Sequence, residues 1–482
     1  MTPFSLSRRA VLRQTLLAPL AIPQQLERRP PGKKILVAGA GLAGLTAALE
    51  LVRAGHDVTV LEAQAREGGR VHTLRDPFSE GVHGEAGAVR IADNHTDVLA
   101  YVNEFGLELE PYLGPGDPVW VMQGQRLIER SGKPFEFPVP LRDDERGFTV
   151  GELWARYTMP VLAEAAKAPS DPWPPESLRP FDQLNLRGFY VKAGASTAAA
   201  DLITLGYDVE TRSALATLQS ELLESLAKKW FRIKGGSDLL PRALAQRLRT
   251  RLRYGCALTG VRQDAESVEV TVVGSGGQEQ LKADALVVTL PAPLLRQVSF
   301  DPGLAADKME LIRTLEMTPA SRLFLQTRER FWMKEKLNGV AYVDGLSMRL
   351  WPGAPGPEKE RGILHTCSEG RASLALDSLP DDARLSAVLS DAERAFPGIS
   401  KVVEGHAYRS WTADPWQRGA FTGFRPGETA RAYAILSRPE GRIYFAGEHA
   451  SRAPGWMQGA VESGLRAAVD INARPWQPAP AR

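Results

Sequence analysis

Apolar positions change their spacing several times soon after Lys34. The run KILVA at 34–38 is continuous, 42-LAGLTAALELVRA-54 repeats its apolar positions every three or four residues, and 58-VTVLE-62 is again a short run after Gly55. Short continuous runs predict buried strands and a period of about 3.6 predicts a helix, so this stretch reads as a β-α-β unit. Farther on, Pro134, Pro138, Pro140, Pro172, Pro174 and Pro175 interrupt the pattern, and 211-TRSALATLQSELLESLAKKW-230 then resumes helical spacing. Together they predict an inserted, mostly helical segment. Strand-like runs follow at 267-SVEVTVV-273, 285-ALVVTL-290 and 322-RLFLQT-327, with 274-GSGG-277 closing a hairpin. Near the end, 442-RIYFAGEH-449 reads as a strand entering a glycine turn, and 457-MQGAVESGLRAAVDI-471 as a helix. Helices and strands therefore alternate around a mixed sheet, and no internal repeat is visible. The proline-rich tail after Arg474 reads as loose.

Composition narrows the classes. At 482 residues with 43% hydrophobic and 24% charged side chains, the chain has the make-up of a globular protein of two or three domains. The 59 basic and 57 acidic residues leave a net charge of +2, and no basic run forms a nucleic-acid track, so no nucleic-acid partner is expected. Cys256 and Cys367 stand far apart without a C-x-x-C and read as two buried free thiols. The histidines lack any H-E-x-x-H spacing, so no metal site is expected.

The N-terminus differs from the rest. In 7-SRRAVLR-13 a twin arginine precedes the apolar 16-LLAPLAI-22, which is too short to span a bilayer. This resembles a twin-arginine export signal, which implies periplasmic or extracellular delivery of a folded protein; an arginine-containing end without function is the alternative. No other segment is long and apolar enough to cross a membrane.

Gly39, Gly41 and Gly44 form G-x-G-x-x-G directly after a strand and at the opening of a helix. The first glycine allows the tight turn, the second lets backbone amides approach a pyrophosphate, and the third lets helix and strand pack closely. Glu62, at the end of the second strand, is placed to accept hydrogen bonds from ribose hydroxyls and disfavours a 2′-phosphate. These residues alone leave FAD and NAD both open.

Further segments carry a resemblance. The stretches 62-EAQAREGGRVHT-73, 230-WFRIKGGSDLLPRAL-244, 286-LVVTLPAPLLRQVSFDP-302, 445-FAGEHA-450 and 454-PGWMQGAVESG-464 resemble, in order, the flavin-containing amine oxidase family, which includes monoamine, polyamine and L-amino acid oxidases. The resemblance implies a mixed α/β fold: a Rossmann-like FAD-binding domain of the glutathione-reductase and amine-oxidase type, a substrate-binding sheet domain and a helical insertion. Its boundaries would be 1–30 for signal and linker, 31–95 with 229–312 and 428–475 for FAD, 96–228 for the insertion, and 313–427 for the substrate sheet.

The resemblance also implies roles. Arg70 would face the FAD pyrophosphate, Leu258 or Val261 the adenine, and Glu448, after Gly447, the ribityl chain. Gly87, Ala88 and Val89 would pass close to the flavin ring, with Gly455, Trp456, Met457 and Ala460 along it. Members that tether the flavin carry a cysteine in this last segment; none is present, which implies non-covalent FAD.

The run 85-EAGAVRIA-92 places Arg90 where L-amino acid oxidases grip the substrate α-carboxylate. An unpaired guanidinium in a dry cavity is costly, so Arg90 implies an anionic partner: the substrate, or a protein carboxylate such as Glu85, unless the side chain is solvated. Trp351 falls where such oxidases carry a carboxylate-binding tyrosine, and Trp411, Trp416 and Trp456 would line the cavity. Arg322 occupies the place of a family lysine near flavin N5, which bears on the electron acceptor. The implied reaction converts an L-amino acid to a 2-oxo acid and ammonia by hydride transfer from Cα to N5, with O₂ reduced to hydrogen peroxide. The rivals are a monoamine or polyamine oxidase, a flavin monooxygenase or dehydrogenase, and a flavoprotein without turnover. A homo-oligomer is left open.

Overall fold

A computed structural model describes residues 26–28, 31–79, 81–130, 135–168, 173–209, 211–353 and 361–474. Arg8, Arg9 and the apolar stretch 16–22, read above as an export signal, lie outside the described residues, as does the tail beyond Arg474.

The continuous apolar runs become strands buried on both faces, the pattern that a parallel sheet requires. Among the described residues a five-stranded parallel sheet runs in the order Leu252–Arg253, Asp57–Leu61, Lys34–Ala38, Ala285–Val288 and Ile443–Phe445. The opening helix, Leu42–Arg53, packs beside this sheet and against the closing helix, Met457–Ala473. A Cβ on Gly464 would lie 2.3 Å from the Ala43 carbonyl oxygen, so only glycine lets the two helices approach so closely.

The hairpin at 274–277 forms with Gly274 opposite Gly277, joining Val268–Gly274 to Gly277–Ala283. With Ala257–Gln263 and Ser299–Asp301 these strands make a four-stranded second layer.

A larger, eight-stranded sheet carries the other half of the molecule. Its middle strand, Ala320–Thr327, is flanked by Val403–Ser410 and Gly362–Thr366, and the sheet continues through Arg349–Pro352 and Leu337–Val343. It then takes in Asp117–Met122 and Gln125–Ile128, which lie inside the stretch expected to be mostly helical. The cause is local: 117-DPVWVM-122 is rich in β-branched and aromatic residues, and Trp120 stacks on Tyr342 of the neighbouring strand with ring centroids 4.2 Å apart.

The helical portion follows. Val150–Ala165 opens on a capping box in which the Thr149 hydroxyl oxygen accepts from the Glu152 amide and Glu152 accepts in return from the Thr149 amide. Leu186–Lys192, Thr197–Ile203 and Ala214–Ser225 gather around a core that includes Leu153, Leu162 and Phe189. No helix among the described residues is long and apolar enough to cross a membrane.

Candidate active site

The turn between the first strand and the opening helix has the geometry its glycines require. Gly39 has φ +107°, and a Cβ there would meet the Thr289 hydroxyl at 2.3 Å. A Cβ on Gly44 would lie 2.0 Å from the Gly39 carbonyl oxygen. At Gly41 a Cβ would meet nothing within 4 Å, because the residue borders a cavity of about 790 Å³ that Leu42 and Ala43 also line. The helix thus opens its unbonded amides and the positive end of its dipole towards free space suited to an anion. Glu62 braces this turn, accepting from the Ala40 amide at 2.7 Å and from the Gln64 amide at 2.8 Å. Burial pushes its carboxyl above the usual range, although both amides favour the charged form.

The middle of the cavity is built on an ion pair. Arg70 Nη1 lies 2.6 Å from Glu448 Oε1, which also accepts from Thr422 Oγ1 at 2.7 Å, while Oε2 accepts from the Gly455 amide at 2.8 Å. Burial opposes the charge of Glu448, but Arg70 foremost, with His449 and these donors, holds its pKa below the ordinary value. Gly87 passes so close to Arg70 that a Cβ would sit 1.8 Å from the Arg70 carbonyl oxygen, and the Ala88 amide donates to that oxygen. Gly87, Ala88, Val89, Leu258, Gly455, Trp456, Met457 and Ala460 all line the cavity. Val261 does not reach the cavity: the bulge between Leu258 and Gly260 sets both residues on one face of the strand and in the same core, and only Leu258 also borders the cavity. Gly44 and Gly447 stand behind the lining, where the Gly447 amide donates to Ser463 Oγ at 2.8 Å.

Beyond this point the cavity enters the gap between the large sheet and the helical portion. Arg322 Nη1 donates to the carbonyl oxygens of Glu85 and of Gly87, the latter at 2.9 Å, so its charge is fixed beside that backbone. Arg90 lines the cavity with its guanidinium carbon 5.0 Å from the Trp456 ring centroid and 5.3 Å from that of Trp230. Among the described residues its guanidinium makes no hydrogen bond. The nearest carboxylate is Glu224, with Oε2 at 3.8 Å from Nη1, too far for a hydrogen bond. Glu85, the protein partner named from sequence, is engaged elsewhere: it accepts from Thr73 Oγ1 and from the Ser237 amide, each at 2.8 Å, and burial pushes its carboxyl up to about 7.

The tryptophans divide. Trp351 lines the cavity beside Tyr112, their ring centroids 5.9 Å apart. Trp411 is buried, borders the cavity and props the backbone, its indole N–H donating to the Ala86 carbonyl at 2.7 Å. Trp416 is exposed while it borders the cavity. Cys256 and Cys367 are free but only half-buried, and both border the cavity; the expectation of two buried thiols took low polarity for burial in a core.

Several cavity residues have no counterpart in the sequence reading. Thr217, Ser220, Glu221 and Glu224 recur at helical spacing on Ala214–Ser225, and all four face the cavity. A polar stripe on an otherwise apolar helix was the available signal. Arg349 pairs with Glu369 and lies over the Tyr207 ring at 4.8 Å. It shares a strand face with Trp351 two residues on, a relationship that the period of a strand provides.

The model described as flavin containing amine oxidoreductase matches residues 42–472. The chain belongs to this family. It is 32% identical over 464 residues to an L-amino-acid oxidase of Mus musculus, covering 93% of this chain and 72% of the relative. It is 28% identical over 477 residues to the L-amino-acid oxidase of Pseudechis australis, covering 94% and 89%. Its fold matches wild-type putrescine oxidase bound to putrescine, with a TM-score of 0.79 and 22% identity over 92% of this chain and 99% of that one. Cyclohexylamine oxidase from Brevibacterium oxydans matches with the same score and coverage at 23% identity.

As an amine oxidoreductase of this family, the protein uses a flavin, and the residues present fit one. The open space at Gly41 suits phosphates, Glu62 lies at the end of the adjacent strand, and the backbone at Gly87–Val89 together with Gly455–Met457 leaves an extended slot. One cavity thus runs from the glycine turn at the parallel sheet, past Glu62, to Arg90.

Proposed function

We propose that this protein is an L-amino acid oxidase that binds FAD without a covalent link, uses O₂ as electron acceptor, and yields a 2-oxo acid, ammonia and hydrogen peroxide. The observation that carries the reading is Arg90: a guanidinium lining the cavity with no hydrogen bond among the described residues, next to Trp456 at the opening of the closing helix. Such a group is costly to desolvate without an anion, and a substrate carboxylate supplies one with bidentate geometry.

When bound, the flavin would take the Cα hydrogen together with its two bonding electrons, as a hydride. The chain's residues do the rest. Arg90 binds the carboxylate, and the Trp351 and Tyr112 rings border the space for the side chain. The backbone at Gly87, held by Arg322 and Trp411, sets the wall against which Cα is presented. The substrate ammonium loses its proton before oxidation, so no side chain need be a strong base. The imino acid then takes up water and releases ammonia. Export through the twin-arginine route belongs to the same proposal and rests on residues 7–22.

One observation favours a second reading. Glu224 at 3.8 Å matches the charge of Arg90 internally, as an oxidase of amines without a carboxylate would need. A peroxide-coupled screen of L-amino acids, D-enantiomers and the corresponding decarboxylated amines tests the two. Peroxide from L-amino acids and not from their amines is the expected result; the reverse overturns the proposal.

A further inference from the structure

We propose that Ser220 is a positioning residue for substrate capture: it holds Glu224 back from Arg90, so that the guanidinium's donors stay free for an incoming carboxylate. This rests on the reading that Arg90 takes the substrate carboxylate. Four side chains form a closed ring. The Trp456 indole N–H donates to Ser220 Oγ at 2.8 Å, and Ser220 Oγ donates to Glu224 Oε1 at 3.0 Å. Glu224 Oε2 stands 3.8 Å from Arg90 Nη1, and the Arg90 guanidinium carbon lies 5.0 Å from the Trp456 ring centroid.

The direction of the bonds follows from the groups present. An indole N–H only donates, so the serine oxygen is the acceptor there, and the single hydroxyl hydrogen is left for the carboxylate. Glu224 is therefore tethered at one oxygen, while the other stops about 1 Å beyond the length of a charge-assisted hydrogen bond. Ser220 and Glu224 are one helical turn apart on Ala214–Ser225, so a rigid backbone sets the tether length. Released from it, a glutamate reaches Arg90 by side-chain rotation alone and occupies the fork that a substrate needs. The hydroxyl thus separates two charges that would otherwise close on each other. The free enzyme keeps Arg90 electrically matched yet unbonded, ready for a carboxylate.

The flavin-loaded enzyme provides the test, with benzoate as a carboxylate that has no amine to oxidise. Its dissociation constant is read from the perturbation of flavin absorbance, alongside KM and kcat for the best L-amino acid. Ser220→Ala is expected to weaken benzoate binding and raise KM about tenfold, with kcat changed far less. Ser220→Ala with Glu224→Gln is expected to restore both, since an amide cannot compete as an anion; a merely structural serine would not be rescued in this way. Glu224→Gln alone is expected to bind benzoate at least as tightly as wild type, which keeps the test decisive where Ser220→Ala loses flavin. Wild-type affinity in Ser220→Ala, failure of the double variant to restore it, or weaker binding in Glu224→Gln overturns the proposal. Arg90→Ala separates the two levels: lost benzoate binding supports the reading of Arg90, whereas unchanged binding removes that reading and this inference together.

Discussion

Arg70 Nη1 stands 2.6 Å from Glu448 Oε1 although 378 residues separate them in sequence. The pair ties the loop after the second strand to the loop before the closing helix, and Glu448 also fixes the Gly455 amide. Glu448→Ala leaves Arg70 without its partner, a change that costs about 3–5 kcal/mol where an ion pair is mostly buried. The expected outcome is protein that retains little flavin and melts earlier, measured by flavin absorbance per chain and by thermal unfolding. Because the folded pKa of Glu448 is lowered, its stabilisation is complete above the unfolded carboxylate range and is lost as pH falls through the folded value. Acid should therefore release flavin from the wild type, and the variant should show a smaller acid dependence.

Arg90→Ala removes the cation and leaves the dinucleotide end untouched. KM for an L-amino acid should rise on the order of 10- to 100-fold, the range for losing a hydrogen bond to a charged group, with flavin content unchanged. Steady-state kinetics on protein of known flavin occupancy checks this. Parallel loss of flavin would count against the assigned role.

Glu221 predicts a pH effect on binding. Burial first, and Glu224 second, push its carboxyl up to about 8, while Arg212, Arg90 and a hydrogen bond from Trp154 pull the other way. Its ionisation is held back, and negative charge appears beside Arg90 as pH rises through about 8. Benzoate, whose own charge is constant there, should bind more weakly above pH 8 than below it, and Glu221→Gln should flatten that profile. The stability sign agrees: with the folded pKa raised, the contribution of Glu221 is full below its unfolded pKa and is lost as pH rises through 8.

Gly44→Val should be insoluble or strongly destabilised, because even a Cβ would lie 2.0 Å from the Gly39 carbonyl oxygen and the backbone there cannot give way. Overpacking of this kind costs about 1–3 kcal/mol or more. Gly41→Ala is the informative control: its Cβ meets nothing in the protein, so it should fold normally, and loss of flavin from it would report only on ligand space. Expression level, melting temperature and flavin content separate the two outcomes.

Much of the dinucleotide end was legible because its constraints are local. The glycine spacing and Glu62 at a strand end follow from backbone geometry within a few residues, whereas the Gly455–Met457 segment came from the family resemblance. The far end was harder to read. The helix Ala214–Ser225 is amphipathic in sequence, but amphipathicity does not say whether a polar face meets bulk water or an internal chamber, and here Ser220 and Glu224 face the chamber. The strands at 117–128 escaped notice among prolines, since one of them contains Pro118 and the turn between them passes through Gln123 at φ 49° rather than through glycine alone. Arg90 was found by resemblance, yet its neighbour Glu224 comes from a segment more than a hundred residues away, a pairing that spacing cannot reveal.

The fit of Gly464 against Ala43 has a consequence for biogenesis. The helix that opens at Leu42, after the glycine turn, is buttressed by a helix far downstream in sequence, Met457–Ala473. A chain made only as far as the second strand therefore holds this turn without its support, which arrives with Met457–Ala473.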